Sequence, residues 1–380
     1  MLFERNRSSY LKYFISMILT LMVLSLLTLS STTNFQHTES EGNTELSFFT
    51  LHTKRQFYYF ILGWITFFFS SRLDFRYLRQ WTWLIYLGTL FLLGGLFFSR
   101  SIAGVHRWYI LPGLFHLQPS EFAKGVLILL LSYFFDTYSE LQSSMRGTIL
   151  LFCLLGAPFL LIAKQPDLGT ALTLCPIAWG LMYCARAHKT VLSLSKRIVL
   201  FILLLISAFS FQWISHEKMR PYCTLILREY QYNRLLPESF HLERALTALS
   251  IGGLWGSGWR KSLFTGMGYL PESYKDAIFA AFGEEYGLIG MIALLALFYG
   301  LISFCFFVAN QVKEQMDRYL SLGVGIHLAT HVILNVGMMI GFFPITGVPL
   351  PLFSFGGSSI IATMSLLGLV YNVYRRHLIH

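Results

Sequence analysis

Carboxylates in apolar surroundings are the first chemistry the sequence offers. In LPESYKDAIFAAFGEEYGLIG, residues 270–290, Asp276 opens an apolar run and Glu284 and Glu285 follow inside it. A carboxylate in such a place is costly unless it is neutralised, paired or put to work. Asp276 reads either as the N-cap of the helix that follows or as a working acid. The two acids further in weigh against a helix built for packing alone, so at least one is expected to face a polar cavity.

Two more helix starts share this design. In QPSEFAK, residues 118–124, Pro119 ends the preceding chain, Ser120 can cap, and Glu121 and Lys124 are three apart and share a helix face. They form either a capped helix with a snorkelling lysine or an ion pair at the mouth of an internal cavity. In KQPDLGT, residues 164–170, Asp167 can cap and Gly169 permits close approach. The stretch GFFPITGVPLPLFSFGGSS, residues 341–359, holds Pro344, Pro349 and Pro351 and then Gly356-Gly357-Ser358-Ser359. Irregular backbone at membrane depth is tolerated only where protein or a water-filled cavity satisfies it, so this stretch reads as a re-entrant or cavity-lining loop with Ser358 at the cavity. A stiff turn is the simpler alternative. His327 and His331 would meet on one helix face as metal ligands do, but no acidic third ligand lies in that stretch. Phosphate-binding glycine loops and the serine nucleophile elbow are absent, which removes support for ATP-driven transport and serine hydrolysis.

The elements that must position these residues are membrane helices. The 380 residues are 55% hydrophobic, 17% aromatic and only 13% charged, with a mean hydropathy of +0.57. The expected fold is an all-α polytopic membrane protein, one domain over residues 1–380. About ten spans are expected, near 11–30, 57–71, 82–99, 121–135, 148–163, 168–184, 197–214, 277–309, 319–341 and 357–374. Residues 1–30 are too long in their apolar part for a signal peptide and lack an A-x-A site, so a retained first helix is expected. With the N-terminus inside, the inner loops carry Arg5, Arg7, Lys12, Arg72, Arg76, Arg79, Arg146, Arg186, Lys189, Lys196, Arg197, Lys313, Arg318, Arg375 and Arg376, 15 in all. The short outer loops carry 6: Lys54, Arg55, Arg100, Arg107, Lys124 and Lys164. Both termini are therefore expected in the cytoplasm.

Three outward segments stand out. Residues 31–56 are polar and loop-like, and 100–120 are rich in Trp, Pro and Gly. The large extracytoplasmic loop at about 215–276, between helices 7 and 8, carries an amphipathic stretch at 222–236 and then GGLWGSGW at 252–259. A net charge of +10 favours anionic lipid and phosphate-bearing ligands, while no soluble basic domain is present to hold nucleic acid. Of five cysteines four lie inside spans, so neither a disulfide framework nor a metal spacing appears.

Taken together, GVHRW at 104–108, QPSEFAK, QPDLGTA at 165–171, EYQYNR at 229–234, GGLWGSGW, the 270–290 stretch and NVGMMIGFFPITGVPLPLFSFGGSS at 335–359 resemble the SEDS family of bacterial cell-wall polymerases, the group of RodA, FtsW and SpoVE. The G-V-P-L-P loop looks more like the elongation branch, RodA. The resemblance implies a peptidoglycan glycosyltransferase that extends glycan strands from lipid II on the outer face of the cytoplasmic (inner) membrane. It implies a class B penicillin-binding protein as transpeptidase partner, within an elongation or division complex. It also implies that Asp276 is the essential acid, that Glu121 and Lys124 line a central cavity, and that Arg55, Arg107 and Trp108 are recurrent positions. Departures lie at Lys275-Asp276-Ala277, at SLFTGMGY (262–269) and in a shortened 235–245.

Glycosyl transfer from a lipid diphosphate needs a base for the attacking hydroxyl and positive charge for the departing diphosphate. On this reading Asp276 activates the acceptor or holds a divalent cation, Mg or Mn, that does so. Arg107, Arg234, Arg260, Lys261 and Lys275 are the candidate diphosphate ligands, and Asp167, Glu284, Glu285 and Ser358 support the cavity, the two glutamates pairing with outward cations. A lipid II flippase, a division-type polymerase, an ion-coupled transporter and a structural scaffold are the rival readings; transporters keep their sites at mid-membrane, which Asp276 does not fit.

Overall fold

The computed structural model describes residues 2–32, 50–99, 105–111, 115–142, 144–189, 193, 195–197 and 240–378. The expected seventh span, the 222–236 segment, Cys223 and Arg234 lie outside the described residues. Helices occupy the other nine expected spans: α1 (Leu2–Thr32), α2 (Leu51–Ser70), α3 (Phe75–Gly95), α4 (Pro119–Thr137), α5 (Met145–Lys164) and α6 (Leu168–Cys184). After α7 (Phe240–Gly252), which belongs to the large loop, come α8 (Ile278–Gln311), α9 (Gln315–Met339) and α10 (Gly357–Leu378). Among the described residues six helices, all but α2, α4, α6 and α7, are long and apolar enough to cross a membrane. The chain is a multi-pass membrane protein.

Two helix starts are set by a capping side chain and precede the hydropathy reading. Thr50 accepts from Thr53 N–H, so α2 begins at Leu51, and residues 51–56 are helix where a loop was expected. Asp74 accepts from Arg76 N–H at 2.9 Å, which starts α3 at Phe75 where hydropathy placed 82. Its first turns carry Arg76 and Arg79, and these mask the helix in an apolarity count. One antiparallel ribbon, Tyr109–Leu111 with Phe115–Leu117, interrupts the all-helical pattern between α3 and α4.

α9 is the hub. It packs against α4, α6, α8 and α10, while α10 lies along α2 and α1 runs antiparallel to α8. Phe14 stacks on Phe304 with ring centroids 4.3 Å apart, and Tyr10 and Tyr374 both meet Phe307. The start of α1 and the end of α10 therefore lie at the same end of the bundle. The opposite end gathers the starts of α2, α4, α6, α8 and α10, where Arg107, Glu121, Asp167, Asp276 and Ser358 reside.

α8 is interrupted. Gly287 adopts φ 65° and ψ −168°, a conformation open essentially to glycine alone. The backbone groups freed by the break are taken up by the glycine-rich 253–258 loop. Ser257 and Gly258 amides donate to the Glu284 and Glu285 carbonyls, both at 2.9 Å, and the Leu288 amide donates to the Gly253 carbonyl at 2.9 Å. A broken helix in a membrane survives only with such replacements.

Candidate active site

The hairpin between α9 and α10 is the scaffold of the motif end. Val348, Leu350, Leu352 and Phe353 are buried, and side chains of neighbouring helices hold its carbonyls. Ser25 Oγ donates to the Phe353 carbonyl (2.7 Å) and Gln56 Nε2 to that of Ser354 (3.1 Å). His331 meets the Pro349 carbonyl through Nδ1 (3.2 Å), and Asn335 Nδ2 donates to the Val348 carbonyl (2.8 Å). The hairpin's irregular backbone is satisfied by polar side chains of α1, α2 and α9. Arg55 is half-buried on α2 beside Gln56.

Glu121 and Lys124 lie 2.8 Å apart on α4, both buried. Lys124 also donates to His331 Nε2 at 3.1 Å. An ammonium can only donate, so Nε2 accepts, and the Nδ1 proton goes to the Pro349 carbonyl. Both ring nitrogens of His331 are thereby used, which removes the His327–His331 pair as a metal site.

Around this pair stands a second polar cluster. Trp108 Nε1 donates to Gln118 Oε1 (3.2 Å), and Gln118 Nε2 donates to Asp167 (3.1 Å). Asp167 caps α6 by accepting from the Thr170 amide. Ser358 Oγ accepts from the Gln118 amide (3.0 Å) and donates to the His116 carbonyl (2.8 Å), tying α10 to the ribbon. Gly169 makes the close approach its motif suggested: a Cβ there would lie 2.3 Å from the Thr346 carbonyl oxygen.

Arg107 differs from its expected role. Its Nε donates to the Gln165 carbonyl (3.1 Å), Nη2 donates to the Pro166 carbonyl, and Nη1 lies 3.9 Å from Asp167. The guanidinium braces the 165–167 turn, so its donors serve the fold first. Lys275 pairs with Glu272 at 2.8 Å and remains half-exposed. Burial works against the Lys275 charge, but Glu272 beside it more than offsets this and holds the ammonium above its ordinary range. The Arg260 guanidinium lies over the Trp259 ring at 4.6 Å, and Lys261 is exposed.

Glu284 and Glu285 are buried, and their partners correct the expectation of outward cations. Glu284 accepts the amides of Phe264 and Thr265, both at 2.9 Å, at the start of the short helix Leu263–Gly266. Glu285 accepts from the Ser31 hydroxyl, from Ser262 Oγ (3.3 Å) and from the Arg260 amide (3.4 Å). Both carboxylates fasten the large loop to α8 through hydroxyl and backbone donors.

Asp276 sits half-buried in the turn that precedes α8. It is not the helix cap: that residue is Ala277, with no side-chain capping bond. Its carbonyl accepts from Asn335 Nδ2 at 2.9 Å, and the neighbouring Tyr274 carbonyl accepts from the Phe355 amide at 2.9 Å. The acid is thus anchored to α9 and to the hairpin by its main chain. Gln118, His331 and Asn335, all central to these contacts, were not assigned site roles from sequence. The His327, His331 and Asn335 spacing, four apart on an apolar helix, was the signal that could have found the last two.

The sequence pattern of the FtsW/RodA/SpoVE family, described as cell cycle protein, matches residues 11–378. The chain belongs to this family. Among its relatives in the family is the peptidoglycan glycosyltransferase MrdB of Escherichia coli K12, 31% identical over 288 residues, 73% of each chain. The MrdB of Helicobacter pylori is 31% identical over 339 residues, covering 85% of this chain and 83% of its own. A relative with the FtsW name, from Geobacter metallireducens, reaches the same 31% over 331 residues. The family fold is seen again in the rod shape determining protein RodA of Thermus thermophilus, with a TM-score of 0.67 at 24% identity over 96% of both chains. A chain of a peptidoglycan synthase complex that coordinates polymerization and crosslinking gives a TM-score of 0.71 at 24% identity, covering 96% of this chain and 97% of that one.

Proposed function

We propose that this protein is a peptidoglycan glycosyltransferase that polymerises lipid II on the outer face of the cytoplasmic membrane. The observation that carries the reading is the gathering of one non-capping aspartate, the buried Glu121–Lys124 pair and the Arg107–Asp167 cluster at one end of a membrane bundle in a chain of this family. A lipid-linked sugar presents its reactive head at a membrane surface, and that end supplies both acid and cations there.

In the step we derive, the acceptor hydroxyl oxygen attacks the anomeric carbon of the donor sugar with inversion. The carbon–oxygen bond to the diphosphate breaks, and its electron pair leaves with the lipid diphosphate. The hydroxyl proton passes to the Asp276 carboxylate. Diphosphate departs well once its charge is countered, so no second carboxylate is required as acid. Lys261 and Lys275, exposed in the large loop, are proposed to meet it; Arg107 acts from behind by bracing the turn that holds Asp167.

A divalent cation of the Mg or Mn type belongs to the same proposal. Asp276 would be its protein ligand, with substrate phosphates and water completing the shell, as hard cations of this kind accept. Bound so, it would counter diphosphate charge. Among the described residues the group of three with metal-ligand spacing, Glu314, Asp317 and His377, lies at the opposite end, where Arg376 also holds Asp317. A class B penicillin-binding protein is the proposed partner, both termini are assigned to the cytoplasm, and the G-V-P-L-P hairpin favours elongation over division.

The test is polymerisation of labelled lipid II by the purified protein with its transpeptidase partner and a divalent cation. Wild type is expected to form glycan chains and Asp276→Asn none. Translocation of lipid II without polymer by both proteins would establish the flippase instead.

A further inference from the structure

Asn335 is a fully buried amide on an apolar helix, and its bonding is unusual. Its Nδ2 donates to two main-chain carbonyls from different segments: that of Asp276 at 2.9 Å and that of Val348 at 2.8 Å. Its Oδ1 is buried and accepts no hydrogen bond among the described residues. Burying an amide on an apolar helix is costly unless its bonds are made, and both Nδ2 hydrogens of Asn335 are used on main-chain carbonyls.

The purpose follows from what the two carbonyls belong to. One is the peptide of the proposed acid, in the turn before α8; the other lies in the proline hairpin. One turn earlier on α9, His331 grips the next hairpin carbonyl, Pro349, and receives Lys124 of the buried ion pair. The side chains of Asn335 and His331 thus fix the hairpin at two successive residues. Asn335 reaches from that fixed point to the Asp276 carbonyl itself, next to the bond between the Phe355 amide and the Tyr274 carbonyl. With two amide hydrogens on separate acceptors, the carboxamide sets the separation of the Asp276 turn from the hairpin as a rigid bracket.

We propose that Asn335 is the positioning residue of Asp276, holding its main chain against the Val348 carbonyl so that the carboxyl group meets the acceptor hydroxyl. The inference rests on the reading of Asp276 as the base. A base displaced by even about an ångström loses on the order of a hundredfold in rate, whereas substrate binding elsewhere is untouched. Loss of the bracket therefore lowers kcat and leaves KM for the lipid-linked substrate unchanged.

The experiment measures kcat and KM for lipid II polymerisation by the full-length protein with its partner, in wild type, Asp276→Asn, Asn335→Ala and the isosteric Asn335→Asp, each checked for monodispersity and thermal midpoint. Asn335→Asp keeps the shape and volume but replaces donors with an acceptor facing two carbonyls. The expected result is a kcat lowered about 10- to 100-fold in each folded Asn335 variant, with KM within about twofold. A kcat within about twofold of wild type in either folded variant overturns the proposal, as does a loss confined to KM. Failure of both variants to fold also overturns it, since Asn335 would then be a structural tie. Polymerisation retained by Asp276→Asn would sink the underlying reading and not this one alone; an inactive Asp276→Asn beside fully active Asn335 variants sinks only the inference.

Discussion

At the scale of single residues, the Glu121–Lys124 pair shows how tightly charge is managed inside this bundle. Neither side chain is more than 5% exposed, and their separation is 2.8 Å. Removing one partner of such a pair strands the other charge in an apolar interior, at a cost of about 3–5 kcal/mol. Lys124→Met is expected to lower stability by that order, because it strands Glu121 and also leaves His331 Nε2 without its donor. Adding Glu121→Gln to it should restore part of the loss. Denaturant unfolding in detergent checks this, and losses that simply add in the double variant would contradict a coupled pair. The pair itself was legible in sequence, since three-residue spacing on a helix leaves little choice of neighbour. The partners of Glu284 were not: the amides of Phe264 and Thr265 lie in a loop whose path no local pattern records. The same holds for Arg107, whose carbonyl acceptors are about sixty residues away in the 165–167 turn.

At the scale of elements, the break in α8 and the loop that fills it form one unit. A Cβ on Gly287 would lie 2.4 Å from the Gly256 nitrogen and 2.5 Å from the Leu254 carbonyl oxygen, in a backbone conformation that other residues avoid. Gly287→Ala is therefore expected to cost at least about 3 kcal/mol, from strain and collision together. Gly253 is the internal control: its φ is +53°, yet a Cβ there meets nothing within 4 Å. Gly253→Ala should cost only about 1–2 kcal/mol, the left-handed penalty by itself. Thermal midpoints of the two variants in detergent separate the contributions, and equal shifts would show that the interlock is loose. The existence of α8 was plain from its apolar length. Its break was not, because a glycine inside an apolar run marks a kink only when some other segment is at hand to take the freed hydrogen bonds. The starts of α2 and α3 were misplaced for a related reason: Thr50 and Asp74 set them by capping, and hydropathy does not register a cap.

At the scale of the whole molecule, the two ends of the bundle differ in kind. At the motif end polar side chains hold irregular backbone, and the Glu121–Lys124 and Lys275–Glu272 pairs stand among them. The other end is built of ion pairs: Arg79 with Asp136 at 3.0 Å, Arg76 with Asp74 at 3.1 Å, and Asp317 with Arg376 and His377. The lysine and arginine count along the sequence assigns this second end to the cytoplasm as an expectation, since basic residues beside helix ends resist translocation. If the ion-paired end faces the cytoplasm, a thiol at the motif end meets the outside and one at the ion-paired end does not. Glu272 and Glu314 are exposed residues at the two ends and suit the test. In a variant freed of its native cysteines, Glu272→Cys is expected to react with a membrane-impermeant maleimide on intact spheroplasts. Glu314→Cys should react only after permeabilisation. The reverse pattern would turn the molecule over, and with it Asp276, placing the acid on the wrong side of the membrane to meet a sugar acceptor outside the cell.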